Sequence, residues 1–321
     1  MAAIEDPLDV LDQLPDAARI RSRKLSGGVA TIVADATGLS AKDAAELERR
    51  LRSAAEAQPE ISEVRVAMTA AQPQRKLIAI ASGKGGVGKS TLSTNLAVSL
   101  ARMGKKVGLI DADVYGPSQT KLLGTDERPT ATAKRLNPVQ AHGLSFLSLG
   151  QLVPAGQALA WRGPMAASAL GQLLDADWGD AELIVVDLPP GTGDVQLSLV
   201  QKARPAGALI VSTPQALSLI DATRAIDLFG KVSVPVLGLV ENMAGYTCPH
   251  CGEQSDPFGS GGAEGAAEEL GIPFLGRLPL WAGLREASDA GEPPAAGDGA
   301  EGKAFAEIAR KLLTQLETVD G

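Results

Sequence analysis

LIAIASGKGGVGKSTLSTNLAVSLAR, residues 77–102, passes from one kind of order to another within a few steps. Leu77 to Ala81 is a continuous apolar run of the sort found in strands covered on both faces. The run breaks into a glycine-rich turn and resumes from Thr91 to Arg102 as a helical pattern, closed by Gly104. Between strand and helix, Gly83-Lys84-Gly85-Gly86-Val87-Gly88-Lys89-Ser90-Thr91 satisfies the spacing G-x-x-x-x-G-K-S/T in the setting that a phosphate loop requires. Glycines let the backbone curl its N–H groups around a polyphosphate, and the helix that follows points its positive end at the same anion. Lys89 is expected to neutralise the β and γ phosphates and Ser90 to reach Mg²⁺, so residues 83–91 are the expected ATP-binding segment.

Working outward, further apolar runs recur at Val107 to Asp111, Leu144 to Leu149, Leu183 to Asp187, Ala208 to Ser212, Val236 to Glu241 and Phe274 to Leu278, with helical patterns such as Ala216 to Phe229 between them. Strand–helix alternation of this kind predicts an α/β fold with a doubly wound, mostly parallel sheet. A final helix, Lys303 to Leu316, carries Phe305, Ile308, Leu312 and Leu316 on one stripe and is expected to pack on this domain. Residues 1–72 read as a small appended α+β unit: a helix near Pro7 to Leu14, an apolar segment from Gly28 to Val33, a helix from Ala41 to Ala57 with Ser40 as its cap, and a strand through Val64, Val66 and Met68. Ala71 to Lys76 is the expected linker, residues 73–321 the expected ATPase domain, and the appended unit is assigned a scaffold or docking role.

Composition narrows the function. The chain has 321 residues, 45% apolar and 21% charged, with a formal net charge of -8 and only 3% aromatic residues. An acidic chain with few rings suits neither phosphate-backbone binding nor base stacking, and it gains nothing from an anionic membrane surface, so no nucleic acid and no membrane partner is expected. No apolar stretch approaches the ~20 residues that span a bilayer, and the first ten residues hold Glu5, Asp6 and Asp9 without a basic residue, unlike an export signal. A cytoplasmic setting is expected. Histidine-based acid–base chemistry has almost no candidates, because the only histidines are His142 and His250.

Two sets of side chains carry the remaining chemistry. Asp111 and Asp187 each end an apolar run, and Asp113 follows two residues after the first. Carboxylates at the carboxyl edge of a parallel sheet are where a nucleotide hydrolase needs them, to hold the metal's water shell and orient the attacking water. The second set is Cys248 and Cys251, the only cysteines, in the turn Thr247-Cys248-Pro249-His250-Cys251-Gly252. Such a turn aims two sulfurs at one point, whereas a tetrahedral zinc or a cubane cluster commonly takes four ligands, so two chains would complete the set. A structural zinc knuckle and a redox dithiol are the rival readings.

The lysine at position 84, in KGGVGKS (84–90), resembles the signature lysine of the deviant phosphate loops in septum-site, partition, arsenite-pump and nitrogenase iron-protein ATPases. Within that class, DADVYGPS (111–118), WRGPM (161–165), DLPPGTGD (187–194) and ENM (241–243) resemble, in order, the Mrp/ApbC iron-sulfur cluster carrier ATPases, over roughly residues 74–320. The resemblance implies a nucleotide-sandwich homodimer in which Lys84 reaches the partner's nucleotide and acts with Lys89 in catalysis. It implies Asp113 as the switch carboxylate near the hydrolytic water, Asp111 and Asp187 in the outer Mg²⁺ shell, and Asn242 at the adenine edge. It also implies a 4Fe-4S cluster bridged by Cys248 and Cys251 of both chains and passed to apo iron-sulfur proteins. Residues 1–72 match the family's small appended domain only loosely in pattern, and Trp281 stands where relatives commonly carry an acidic residue. A partition or septum-site ATPase organising DNA or membrane cargo shares the phosphate loop but has no need of the cysteines. An electron-transfer reductase of the nitrogenase iron-protein kind would hold its cluster with cysteines far apart in sequence, and a tyrosine autokinase is disfavoured because the only tyrosines are Tyr115 and Tyr246.

Overall fold

The computed structural model describes residues 6–37, 39, 41–69, 75–132, 135–152 and 162–319, and the chain divides into two compact units, Met1–Pro73 and Gln74–Gly321. The expected cap Ser40, most of the expected linker and Trp161 lie outside the described residues.

In the first unit, a 3-10 helix over Pro7–Gln13 is closed at its start by a capping box between Asp6 and Asp9. It is followed by β1 (Ile20–Ser26), β2 (Val29–Asp35), α1 (Ala41–Glu56) and β3 (Glu63–Thr69), with β2 antiparallel to β1 and parallel to β3. Leu8 and Leu11 join Ile32 of the sheet and Leu47 and Leu51 of α1 in a small core. β1 is absent from the sequence reading because IRSRKLS alternates charge rather than apolar residues. Its Arg21 pairs with Asp35 and its Arg23 with Asp9 and Asp12, which suits a strand at a sheet edge.

The second unit opens with β4 (Lys76–Ala81), α2 (Lys89–Arg102), β5 (Val107–Asp111) and α3 (Gln119–Leu122). Short strands β6 (Thr130–Thr132), β7 (Arg135–Asn137) and β8 (Val139–Ala141) lead to β9 (Leu144–Ser148). Then come α4 (Gly163–Leu174), β10 (Leu183–Asp187), α5 (Asp194–Ala203), β11 (Gly207–Ser212) and α6 (Ala216–Lys231). The chain continues through β12 (Val236–Thr247), β13 (Gln254–Ser255), α7 (Gly262–Leu270), β14 (Phe274–Leu280), α8 (Ala282–Ala290) and α9 (Ala300–Val319).

The seven apolar runs of the sequence are the seven parallel strands, ordered β14-β12-β11-β4-β10-β5-β9, with β8 antiparallel at one edge and β13 antiparallel to the far end of β12. One face of the sheet is covered by α2 and α9, whose Leu92, Leu96, Phe305, Ile308, Leu312 and Leu316 are buried. The other is covered by helices α4 to α7, through residues such as Leu170, Leu199, Ala225 and Ala267. This is the expected doubly wound α/β arrangement. Trp281 packs its ring on Phe305, centroids 6.0 Å apart, so an apolar contact accounts for it.

What positions the site is the middle of the sheet. β10 lies between β4 and β5, and in parallel register Asp187 sits opposite both Ile80 and Asp111. The carboxyl ends of these three strands therefore deliver the phosphate loop, Asp111 and Asp187 to one edge, as open α/β sheets do for their ligands. His142 places its Nε2 3.3 Å from the Leu123 carbonyl and 3.2 Å from that of Gly291 and so bridges two loops.

Candidate functional site

Gly86 and Gly88 hold φ of 81° and 83°, the left-handed region that admits glycine without strain, and they bend the chain between β4 and α2 into a cradle. The cradle bounds a pocket of about 210 Å³ lined by Lys84, Gly85, Lys89, Ser90, Thr91 and Asp113, among others. α2 begins at Lys89 with Gly88 as its cap and no side chain over its first N–H groups, which leaves the positive end of the helix open to the pocket.

The Lys89 ammonium is buried, 2.6 Å from Asp187 Oδ1, 3.5 Å from Asp113 Oδ2 and 3.2 Å from Ser90 Oγ. Burial works against its charge, yet the carboxylates of Asp187 and Asp113 outweigh that and hold its pKa above the ordinary lysine value. Asp187 is fully engaged: Oδ1 also accepts from Ser93 Oγ at 2.8 Å, and Oδ2 accepts from Gln119 Nε2 at 3.0 Å. Gln119 in turn donates to the Ser90 carbonyl at 3.1 Å and accepts from Thr94 Oγ1 at 2.5 Å.

Asp111 is turned to the loop that follows it. Its Oδ2 accepts from the Ser118 and Gln119 N–H groups at 2.9 and 3.1 Å and from Ser148 Oγ at 2.9 Å, while Oδ1 accepts from the Asp113 N–H at 3.2 Å. Burial, with the nearby Asp187 charge, pushes its pKa up to about 7 against the pull of these donors. Asp113 accepts from the Tyr115 and Gly116 N–H groups through Oδ1, which leaves Oδ2 toward Lys89 and the pocket. The residues around the two strand-end aspartates, Ser93, Thr94, Gln119 and Ser148, had no sequence signal beyond being polar within apolar elements.

Asn242 comes from β12 to the back of the cradle, where it is buried and donates Nδ2 to the Val87 carbonyl at 2.8 Å. The approach is so close that a Cβ on Gly88 would stand 2.2 Å from Asn242 Nδ2. Beside it, the buried Glu241 accepts from the Gly261 and Ala263 N–H groups at the start of α7 and from Arg277 Nε, fixing β12 to α7 and β14.

The sequence reading ends this strand at Glu241; the structure carries it to Thr247. Met243 and Gly245, at φ of 60° and 85°, form a bulge, after which pairing resumes at Tyr246 with Leu280 and Ser255. β12 therefore runs into the cysteines, which occupy the turn of a hairpin with β13. The Cys248 N–H donates to the Glu253 carbonyl and the Gly252 N–H to the Cys248 carbonyl, both at 2.9 Å. Cys248 is half-buried and Cys251 exposed, and both are free thiols. The N–H groups of Cys251 and His250 face the Cys248 sulfur and hold its thiol below the ordinary cysteine range, which favours the metal-binding thiolate. Among the described residues no group of three or more His, Cys, Asp or Glu side chains is placed to hold a metal ion.

Residues 74–313 match the ParA family, described as NUBPL iron-transfer P-loop NTPase. The iron-sulfur cluster carrier protein of Deinococcus radiodurans is 44% identical over 330 residues, covering 98% of this chain and 93% of that protein. Among solved structures, the nucleotide-binding protein of Archaeoglobus fulgidus in complex with ADP superposes with a TM-score of 0.62 at 38% identity, over 70% of this chain and 89% of that one. The MinC:MinD cell division complex of Aquifex aeolicus superposes at 0.57 with 25% identity, over 74% and 96%.

Proposed function

The chain belongs to the ParA/NUBPL family of iron-transfer P-loop NTPases, and from that premise we propose that it is an ATP-hydrolysing iron-sulfur cluster carrier working as a homodimer in the cytoplasm. The observation that carries the reading is the joining of the two sites by one strand: β12 touches the phosphate cradle at Asn242 and ends at Thr247, next to Cys248.

Lys89 is held by Asp187. An arriving polyphosphate offers the lysine a second anion, and the residues of the cradle, Gly83, Gly85, Gly86, Val87, Gly88, Ser90 and Thr91, take its oxygens through backbone N–H groups and the Ser90 and Thr91 hydroxyls. The Ser90 hydroxyl and the Asp113 and Asp187 carboxylates grouped around Lys89 are hard oxygen donors, a set that suits Mg²⁺. Bound there, Mg²⁺ supplies positive charge to the phosphoryl oxygens. Ser90 would hold it directly and Asp187 through water. Asp111 would act one step further out by fixing Ser118 and Gln119, whose side chain holds Asp187. Asp113, with one oxygen free of its own loop, would orient the hydrolytic water. Lys84, half-buried at the pocket's lip, would reach the nucleotide of a second copy, and Asn242 would meet the adenine edge.

The cargo is a 4Fe-4S cluster. Each chain offers two thiolates at an exposed turn, and two chains offer the four that such a cluster takes. A cluster held at a hairpin tip by two ligands per chain is easier to surrender to an apo iron-sulfur protein than one enclosed by four cysteines of a single chain. The appended unit serves as a docking module. Anaerobic reconstitution should give close to two irons and two sulfides per chain, lost in Cys251→Ser, together with Mg²⁺-dependent ATP hydrolysis. Protein that takes up no iron under those conditions, or keeps all of it in the variant, refutes the proposal.

A further inference from the structure

The route from nucleotide to cysteines is narrow. The Val87–Gly88 peptide is trans, so its carbonyl and its N–H point in opposite directions. Asn242 holds the carbonyl side at 2.8 Å, and Gly88 lines the phosphate pocket on the other. The next residue, Met243, sits in the left-handed region at φ 60°, an uncommon and strained place for a side chain with a Cβ. Its Cε lies 3.8 Å from where a Gly88 Cβ would stand. Behind Met243, the sheet is firmly anchored: Glu241 is clamped by α7 and Arg277, and the pairing of β12 with β14 is regular from Val240 to Asn242. Ahead of it, Tyr246 and Thr247 pair with β13 and lead directly into Cys248. The bulge at residues 243–245, in which Met243 is the residue that carries a Cβ into the left-handed region, therefore separates the segment that contacts the phosphate loop from the hairpin that carries the thiols, where pairing resumes at Tyr246.

We infer that Met243 is a positioning residue: its left-handed backbone makes a stiff bulge through which the state of the Val87–Gly88 peptide sets the orientation of the Cys248–Cys251 turn. The loops after Asp111 and Asp187 line the phosphate pocket through Asp113 and Pro190, but none of their hydrogen bonds described above reaches the β12–β13 hairpin, whereas β12 belongs to both sites. The inference rests on the reading of the cysteine turn as the cargo site. It adds the element that ties that turn to the nucleotide.

A residue with a Cβ has few conformations to choose from at this point, and glycine has many. Met243→Gly should therefore preserve the fold, since glycine accepts the native φ without strain, but let the hairpin move independently of the cradle. Met243→Ala keeps the Cβ and should keep the coupling. The test uses reduced, metal-free full-length protein with and without saturating Mg-ADP, saturation being established for each variant from its own binding isotherm. Iodoacetamide alkylation of Cys248 and Cys251 is followed by peptide mass spectrometry. In the parent and in Met243→Ala, the nucleotide should change the Cys248 rate by at least about fivefold; in Met243→Gly the change should shrink to within about twofold. A parent whose alkylation ignores the nucleotide, or a Met243→Gly variant that keeps the parental ratio, overturns the inference. Failure of the carrier reading shows itself separately, as absent iron in reconstituted parent, and leaves the alkylation ratio readable.

Discussion

Lys89 and Asp187 meet 2.6 Å apart in the interior, and both oxygens of Asp187 are hydrogen-bonded, so the nucleotide pocket closes upon its own residues. Cys248 and Cys251 stand at the tip of a hairpin with two sulfurs and an exposed turn around them. The first region is pre-organised from buried groups of one chain that already pair with one another, whereas the second presents two sulfurs at an exposed turn. That difference suits the different tasks proposed for them. A site that must stabilise charge on a transferring phosphoryl group gains from rigid, buried, fully paired donors. A site that must accept a cargo and give it away gains from exposure and from sharing its ligands.

The comparison breaks most visibly at Lys89. Lys89→Ala should lower ATP hydrolysis by at least about 10²-fold. It should also destabilise the nucleotide-free protein by about 3 kcal/mol, because Asp187 is left buried without its cation. Iron uptake by the cysteine pair should persist. A denaturation midpoint equal to that of the parent would mean that the buried pair is not formed in solution.

Cys248→Ala is the reciprocal change. Bound iron after reconstitution should fall at least about tenfold, since half of a four-ligand set is gone from the dimer. Nucleotide affinity, measured by calorimetry, should stay within about twofold, because an exposed turn contributes little to a pocket that closes on itself. Equal losses in both measurements would erase the distinction between the two regions.

Gly88→Ala sharpens the picture at the contact between them. The new Cβ needs the space of Asn242 Nδ2, 2.2 Å away, at a φ of 83°. Displacing the amide and straining the loop should cost about 1–3 kcal/mol, read as roughly tenfold weaker nucleotide binding. The smallest effect is expected at Ser148→Ala, which removes one of the four donors on Asp111. The stability loss should be about 1 kcal/mol in chemical denaturation, with the cysteines unaffected.

Much of this was legible in the sequence for definite reasons. Strands buried on both faces must be apolar throughout, so all seven parallel strands announce themselves as short runs. The phosphate loop is local, and its chemistry depends on consecutive residues. What surrounds Asp111 and Asp187 was not legible. Ser93, Gln119 and Ser148 acquire their roles only when β10 inserts between β4 and β5 and β9 lies alongside, and nothing in their local sequence marks that neighbourhood. β1 escaped because Arg21, Arg23 and Lys24 fill a strand whose edge position tolerates charge. The outer half of β12 escaped because Met243 and Gly245 interrupt its alternation with a bulge, and that interruption separates the two sites.

The central claim is that the one pair of cysteines in each chain is completed by the pair of a second copy. Native mass spectrometry of anaerobically reconstituted protein measures this directly. The predicted species is two chains carrying a single 4Fe-4S cluster, converted to cluster-free protein by Cys248→Ala. A cluster retained on a single chain, or dimers that form and hydrolyse ATP yet never carry iron, would contradict it.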